Sequence, residues 1–218
     1  MNATIATETR WPGSLQRMVG PTVAVLCVSK QSIYKRLEWV EAYDAGRDAL
    51  TFGGGMPVVA HPPCRSWSAH TAHQAKPLPG EKELGPWCAE KLRECGGVLE
   101  HPAHSRLFDA AKLPKPGCAT RGDLWTMEVW QAWWNYPMRK ATWLCFCGVS
   151  PSEIQLPFRL HPQGGDRRRE QLMGKTQRSE TTESFARWLV DVARRSRPND
   201  PSSATARNRQ LERKEDVR

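Results

Sequence analysis

Residues 23–28, with the sequence VAVLCV, decide the fold class of this 218-residue chain. The run is short, unbroken and rich in β-branched residues, which is typical of a parallel strand that is buried on both faces. Outward from it, further strand candidates alternate with helical patterns, and they occupy residues 40–44, 57–60, 97–100 and 142–149. Strands that alternate with helices predict an α/β fold with a Rossmann-like, doubly wound and mostly parallel sheet.

The helical patterns between these strands differ in strength. Residues 81–94 carry apolar side chains at helical spacing up to a Gly-Gly stop, and residues 183–194 form an amphipathic pattern. Residues 32–39 are a short helix candidate, and residues 126–134 fit either a Trp-rich strand or a helix. We expect most of the tryptophans to lie in the core, because large aromatic side chains bury much apolar area.

The composition divides the chain into one ordered domain and two weakly patterned ends. Residues 21–194 carry the strand and helix patterns and predict a single α/β domain, whereas residues 1–20 are weakly structured. Residues 195–218 contain almost no large apolar side chain, and such a segment cannot bury enough surface to fold alone. We therefore expect a disordered basic tail at that end.

The chain is basic, with 32 Lys and Arg residues against 23 Asp and Glu residues and a net charge of +9. The tail supplies +3 of this charge, so the body is basic in its own right. This balance favours a nucleic-acid partner without separating DNA from RNA.

Membrane, secretion and metal signals are weak. No run approaches the ~18 apolar residues that a membrane span needs, and residues 1–10 lack the layout of a signal peptide. We therefore expect a cytoplasmic protein that does not bind membranes, with its seven cysteines as reduced thiols. We expect no metal site, because the sequence contains no Cys-x-x-Cys pair.

Ligands of doubly wound sheets bind at the carboxyl ends of the strands, so the residues after each strand are the candidates for a site. Cys64 follows strand 57–60 on a turn that two prolines stiffen, and it is a candidate nucleophile. Basic neighbours such as Arg65 or His61 would raise its thiolate fraction. An isolated cysteine in this place can also be a structural residue that packs beneath the loop.

Two further groups reach the same rim in the predicted sheet. Glu100 ends strand 97–100, and Arg139 and Lys140 directly precede the last strand. A thiol and a carboxylate that converge at one strand-end crevice are a stronger signal than either residue alone. Taken singly, the two cations would be read as a solvated basic turn.

In this order, the elements resemble DNA cytosine-5 methyltransferases. Pro62-Pro63-Cys64 resembles the Pro-Cys nucleophile loop of that family, and Leu99-Glu100-His101 stands in the place of its Glu-Asn-Val motif. Residues 137–148 resemble its Gln-x-Arg-x-Arg segment and the strand that follows, with Met138, Lys140 and Thr142 in place of the glutamine and two arginines. Residues 181–194 resemble its closing helix. The resemblance covers residues 57–194 and implies a compact member of phage or prophage type.

The resemblance implies a mechanism at the strand ends. Cys64 would form a covalent adduct with carbon 6 of cytosine, Glu100 would hydrogen-bond the ring, and Arg139 or Lys140 would orient the base or its phosphate. The target base would have to be flipped out of duplex DNA. The residues assigned to DNA are Trp67, His70 or His73 beside the opened base, Arg167, Arg168, Arg169, Lys175 and Arg178 on phosphates, and Arg65 as a further substrate contact.

The resemblance also implies S-adenosylmethionine as cofactor, although the loop after the first strand has no glycine. That loop contains Ser29, and Glu41 or Asp44 at the end of the second strand would hold the ribose hydroxyls. Asp48, in Arg47-Asp48-Ala49, resembles the Gly-Asp-Ile element that meets adenine. Without glycine, the sequence of this loop does not predict a close approach of its backbone to the cofactor.

Two other functions fit the same residues. One is a pyrimidine-modifying enzyme that keeps Cys64 and Glu100 but uses another electrophile or cofactor. The other is a non-catalytic, basic, Rossmann-like module that binds nucleic acid, with Cys64 as a structural residue. The length of the chain leaves little room for a domain that reads DNA sequence.

Overall fold

The computed structural model describes residues 21–68, 75–157 and 180–197. In these ranges six strands form one sheet, and three α-helices pack on it. The strands are β1 (Val23–Val28), β2 (Val40–Asp44), β3 (Val58–Ala60), β4 (Gly97–Pro102), β5 (Leu124–Trp130) and β6 (Ala141–Cys147). The helices are α1 (Leu84–Cys95), α2 (Leu107–Ala110) and α3 (Glu183–Arg195). Short 3₁₀ turns occupy Ile33–Arg36, Ala49–Thr51, Gln131–Trp134 and Pro151–Glu153.

The sheet is mixed, with the strand order β2-β1-β3-β4-β6-β5. Strands β1 to β4 pair in parallel, whereas β6 pairs antiparallel with both β4 and β5. The predicted α/β fold is confirmed, but the expectation of a mostly parallel sheet holds only for the half formed by β1 to β4. The reason is the compact 3₁₀ turn Gln131–Trp134, which ends in left-handed Asn135 and sends the chain back along β5.

Alternation along the strands gives the sheet one core on each face. On one face, Val25, Val59 and Val98 belong to the core that the apolar side of α3 completes. On the other face, Leu26 and Leu99 belong to the core completed by α1 and α2. Buried strands of this kind read as continuous apolar runs, which is why their positions were predictable.

The element boundaries differ from the predicted ones at three places. The helix predicted over 32–39 is only the 3₁₀ turn Ile33–Arg36, and the ambiguous segment 126–134 divides into the end of β5 and a second 3₁₀ turn. Helix α3 extends to Arg195, and the backbone N–H of Arg197 donates to the carbonyl of Gly148 at 2.8 Å. Residues 195–197, predicted as tail, thus pack on the domain. Residues 1–20 and the rest of the predicted tail lie outside the described residues.

The tryptophans follow the expected burial in part. Trp134 and Trp143 are buried, while Trp125, Trp130 and Trp133 are half-buried. All seven cysteines are free thiols, and Cys64 and Cys118 are exposed. No helix in the described ranges is long and apolar enough to span a membrane.

Candidate functional site

The topological switch point of the sheet lies between β1 and β3. The chain leaves β1 to form β2 on one side and then returns to form β3 on the other, so a crevice opens at the carboxyl ends of these two strands. Cys64 follows β3 at this rim, and Glu100 lies near the end of neighbouring β4. Because β6 runs in the opposite direction, its first residues, preceded by Lys140, lie at the same rim. The structure therefore brings together the thiol, the carboxylate and the cation that the sequence predicted.

A tight turn fixes the position of Cys64. The backbone N–H of Trp67 donates to the carbonyl of Cys64 at 3.0 Å, and the Trp67 carbonyl accepts from the backbone N–H of Arg106 at 2.9 Å. The Trp67 side chain is 7% exposed and belongs to the core beneath the turn. The prediction that Trp67 stacks beside an opened base is therefore wrong in position, because burying its indole is what anchors the Cys64 turn to the domain.

The surroundings of Cys64 favour the thiol over the thiolate. Partial burial raises the pKa of the Cys64 thiol, and the negative charge of Glu100 raises it further. The positive charges of Lys140 and Arg65 lower this pKa, but by less. Arg65 thus acts in the expected direction, but burial and Glu100 outweigh it, so the net pKa of the Cys64 thiol is raised. Arg65 is engaged elsewhere, since its Nε lies 2.7 Å from the buried Glu81 carboxylate.

A chain of side-chain hydrogen bonds holds Glu100. Oε2 of Glu100 lies 2.9 Å from Nδ1 of His61, whose Nε2 lies 2.9 Å from the Tyr34 hydroxyl. Oε1 of Glu100 accepts from Nε2 of Gln131 at 3.0 Å, and that amide nitrogen also donates to Oγ1 of Thr142 at 3.0 Å. Four side chains from separate parts of the chain thus contribute to the position of one carboxylate.

The network keeps Glu100 ionised. Burial alone would raise its pKa, but the hydrogen bond and charge of His61, together with the charges of Lys140 and His101, lower the pKa of Glu100 to about 2. An ionised carboxylate is acceptor-only, and each of its oxygens has room for another donor. Glu100 can therefore accept a hydrogen bond from a ligand in the crevice.

Tyr34 and Gln131 were not predicted as site residues. Both lie in 3₁₀ turns that follow strands, Tyr34 after β1 and Gln131 after β5, so both reach the carboxyl rim. Polar residues just after a strand are the signal that points to them. Their side chains are 1% exposed, which places them inside the domain, behind Glu100.

His101, which follows Glu100, is 1% exposed and packs on the opposite face of the sheet. Burial lowers the pKa of His101 to about 4, although Glu100 and the carbonyl of Pro63 both act to raise it. The imidazole is therefore neutral at physiological pH. It lies under Pro63 in the turn that carries Cys64, at the place of the asparagine in the family motif.

This buried imidazole gives a prediction for acid stability. The folded pKa of His101 is about 4 against an ordinary value of 6.5, so the unfolded chain binds one more proton as the pH falls from 6.5 toward 4. The free energy of unfolding should decrease with falling pH by at most ~1.4 kcal/mol per pH unit over that window. Glu100 adds a loss of stability only below its ordinary value of 4.5.

The measurement is urea unfolding of wild type and His101→Asn at a series of pH values. Between about pH 4.5 and 6.5 the variant should lose the slope that His101 supplies, whatever its absolute stability. Equal slopes in the two proteins would contradict the assignment of a neutral buried imidazole.

Of the two candidate cations, Lys140 is the one that acts on the site. Its charge lowers the pKa values of both Cys64 and Glu100. Its Nζ also lies 4.9 Å from the centre of the Tyr136 ring. The exposed guanidinium of Arg139 lies over the Trp130 ring, 5.8 Å from its centre.

The four predicted cofactor residues lie at different positions along and after the strands β1 and β2. Ser29 is exposed in the loop after β1, and Asp44 ends β2 at the same rim, in register with Val28. Asp48 caps the turn Ala49–Thr51 by accepting from the backbone N–H of Leu50, and it is exposed. The placing of Glu41 at the end of the second strand is wrong, because β2 begins at Val40. Its carboxylate lies within the strand and pairs with Arg47 at 2.7 Å.

The penultimate residue of β1 has a left-handed backbone although it is not glycine. Cys27 has φ of 63°, the left-handed conformation that glycine adopts most readily, and the register of β1 against β2 shifts at this residue. Its Sγ lies 3.7 Å from that of Cys88 in α1, so the side chain points into the domain. The register shift near the end of β1 is thus made at a left-handed cysteine, and the loop that follows has no glycine.

The remaining predicted contacts lie outside the described residues. They are His70, His73, Arg167, Arg168, Arg169, Lys175 and Arg178. Among the described residues, no group of three or more His, Cys, Asp or Glu side chains is arranged to hold a metal ion.

No family model, curated protein or solved structure matches this chain. The assignment of a function therefore depends on the geometry at the switch point and on the residues that the sequence places there.

Proposed function

We propose that the chain is a DNA-modifying enzyme that transfers a methyl group from S-adenosylmethionine to carbon 5 of cytosine, with Cys64 as the covalent nucleophile. The observation that carries this proposal is the meeting of Cys64, Glu100 and Lys140 at the switch-point rim, where the latter two act on the pKa of the thiol. The resemblance to DNA cytosine-5 methyltransferases assigns Cys64 and Glu100 the corresponding roles.

Cys64 would supply the covalent step. Carbon 5 of cytosine is a poor nucleophile until a thiolate adds to carbon 6, and the new S–C bond moves the electron pair of the ring double bond toward carbon 5 and N3. When bound, S-adenosylmethionine would supply the methyl group that carbon 5 takes. Loss of the carbon 5 proton to water and departure of the Cys64 thiolate then restore the double bond.

Glu100 and Lys140 would hold the base against Cys64. Ionised Glu100 can accept from the exocyclic amino group, which cytosine has and thymine lacks, on the lone pairs that His61 and Gln131 leave open. The ammonium group of Lys140 lies within electrostatic reach of both Glu100 and the thiol, so it would counter negative charge on the adduct or on the phosphate of the flipped nucleotide.

Three of the four predicted cofactor residues, Ser29, Asp44 and Asp48, follow or end the strands β1 and β2, and this position supports the proposed cofactor. Ser29 is exposed directly after β1, Asp48 is exposed, and Asp44 ends β2 with its carboxylate bonded to Lys35. These residues would hold the hydroxyl and amino groups of the nucleoside portion. Glu41 does not fit, because it lies within β2 and is paired with Arg47.

The charge distribution supports DNA as substrate. The described part of the chain resumes at Glu180, whose carbonyl oxygen lies 3.5 Å from Nζ of Lys140. Lys140 therefore places a described positive charge at the rim that carries Cys64. Positive charge connected to a site in this way favours a polyanionic substrate.

A second candidate, modification of a pyrimidine with a different electrophile, is favoured by the state of Asp44. Its carboxylate already accepts from the Lys35 ammonium group and from the backbone N–H groups of Gly46 and Arg47, at 2.8 and 2.9 Å. These contacts hold the pKa of Asp44 well below its usual range. A ribose would have to share or displace them.

Two mechanism-based DNA probes test the proposal and separate the candidates. A duplex with 5-fluorocytosine should give a stable covalent protein–DNA adduct only when S-adenosylmethionine is present, because fluorine blocks the loss of the carbon 5 substituent. A duplex with 2-pyrimidinone should give an adduct without cofactor. An adduct with 2-pyrimidinone alone would support the second candidate, and no adduct with either probe would overturn covalent catalysis. Single-stranded DNA and RNA versions define the substrate class.

A further inference from the structure

Two side chains behind Glu100, His61 and Tyr34, form a hydrogen-bond chain to which the proposed covalent step assigns no role. His61 lies between Glu100 and Tyr34, with 2.9 Å contacts on each ring nitrogen. The imidazole is half-buried, the Tyr34 ring is 1% exposed, and the two ring centroids are 5.2 Å apart. A histidine that is held on both nitrogens has a fixed orientation toward its carboxylate.

The donors in this chain can be assigned from chemistry. Glu100 is ionised and can only accept, so Nδ1 of His61 carries the hydrogen and donates to Oε2. Burial raises the pKa of Tyr34 well above its ordinary value, so its hydroxyl keeps its hydrogen. That hydroxyl can donate to Nε2 of a neutral imidazole or accept from Nε2–H of an imidazolium. The hydrogen bond therefore survives in both protonation states of His61.

We propose that His61 is the proton store of this site: its imidazolium form passes a proton through Glu100 to N3 of the pyrimidine as Cys64 adds to carbon 6. This inference rests on the proposed function and deepens it. The S–C bond places the former double-bond pair on carbon 5 and N3. The Nδ1 proton moves to the Glu100 carboxylate and from there to N3, which leaves a neutral ring and a neutral imidazole. The proton returns by the same route when Cys64 departs.

The groups around His61 support this role. Tyr34 contacts it from the turn after β1 and Glu100 contacts it from β4, while His101 lies on the opposite face of the sheet but within electrostatic reach. His101 is neutral at physiological pH, because burial lowers its pKa to about 4. Beyond Glu100, the charge of Lys140 lowers the pKa of Glu100, and the charge of Glu100 raises the pKa of the Cys64 thiol. Ionised Glu100 carries no proton to donate to N3. Protonation of N3 therefore requires a second group that supplies a proton to Glu100.

The test compares wild type with His61→Asn and Tyr34→Phe. The Nδ2 group of asparagine can keep the donation to Glu100 but cannot take up a second proton. The readout is the single-turnover rate of adduct formation with 2-pyrimidinone DNA from about pH 6 to 9.5. Wild type needs Cys64 without its proton and His61 with its second proton, and these opposite requirements should give a nearly flat pH profile.

In His61→Asn only the thiolate fraction still varies with pH. The rate near pH 7 should fall by about 100-fold, the size of a general acid–base contribution, and should then rise by about tenfold per pH unit. The affinity for unmodified DNA should stay within about twofold of wild type. Tyr34→Phe should lower the rate by less and keep the flat profile, because His61 still carries the proton.

Each outcome decides one claim. If wild type gives no adduct, the proposed function fails. If wild type gives the adduct and His61→Asn shows the same flat profile, covalent catalysis stands and the proton store is overturned. A His61→Asn protein that loses rate and DNA affinity together, with an unchanged profile, assigns His61 a structural role and also overturns it.

Discussion

Cys64→Ala is expected to abolish covalent adduct formation and to lower methyl transfer to DNA by at least ~10³-fold, because no other nucleophile can replace the bond to carbon 6. The Cys64 thiol lies at the switch-point rim and is exposed, and the tight turn to Trp67 fixes its backbone. Removing one exposed sulfur atom should leave the core intact. The readouts are the single-turnover rate with tritiated S-adenosylmethionine and the yield of the 5-fluorocytosine adduct.

Cys118→Ala is the matched control, since Cys118 is also exposed and lies on a turn before β5, away from the switch point. It should keep wild-type rate and adduct yield. Unfolding midpoints of both variants should match that of wild type. An undiminished adduct in Cys64→Ala would place the nucleophile elsewhere and remove the main support for the mechanism.

Gly97→Ala is expected to destabilise the domain by about 4 kcal/mol or more, enough to unfold many domains of this size. Gly97 begins β4 with φ of 120°, and a Cβ there would lie 2.0 Å from the carbonyl oxygen of Val58 and 2.8 Å from its nitrogen. Both obstructing atoms belong to the backbone of β3, so no side-chain rotation relieves the clash. The substitution would force β3 and β4 apart, and their parallel pairing is what places Cys64 near Glu100.

The control for this prediction is Gly53→Ala. A Cβ at Gly53 would meet no atom within 4 Å, so its substitution should change the free energy of unfolding by less than ~1 kcal/mol. Urea unfolding followed by tryptophan fluorescence measures both variants. A Gly97→Ala protein within ~1 kcal/mol of wild type would show that the two strands can separate without cost to the domain.

The strands were predictable because buried parallel strands have continuous apolar sequences. VAVLCV became β1 and the run before Cys64 became β3, and since strand ends carry ligands, Cys64 and Glu100 could be named from order alone. The direction of β6 was not predictable in this way, because an apolar run has the same pattern in either direction. Only the turn at Asn135 reverses it.

The electrostatics of the site depended on contacts that sequence spacing does not show. Glu100 meets His61 and Gln131, which lie 39 and 31 residues away, and these contacts decide its ionisation. Cys64 has basic neighbours in sequence, yet Arg65 turns to buried Glu81 and the nearby Glu100 charge raises the pKa of the thiol. The place of Trp67 beside Cys64 predicts a surface position, whereas hydrophobic burial draws its side chain into the core.

The reversed direction of β6 indicates where a label or linker can be attached to the protein. Since β6 starts at the switch-point rim, it ends at the opposite one, where Cys147 pairs with the first residue of β4. The segment that follows exposes Ser150 and Ser152. A fluorophore or an immobilisation linker attached at Ser152 would therefore lie at the end of the sheet away from Cys64 and leave the switch-point crevice open.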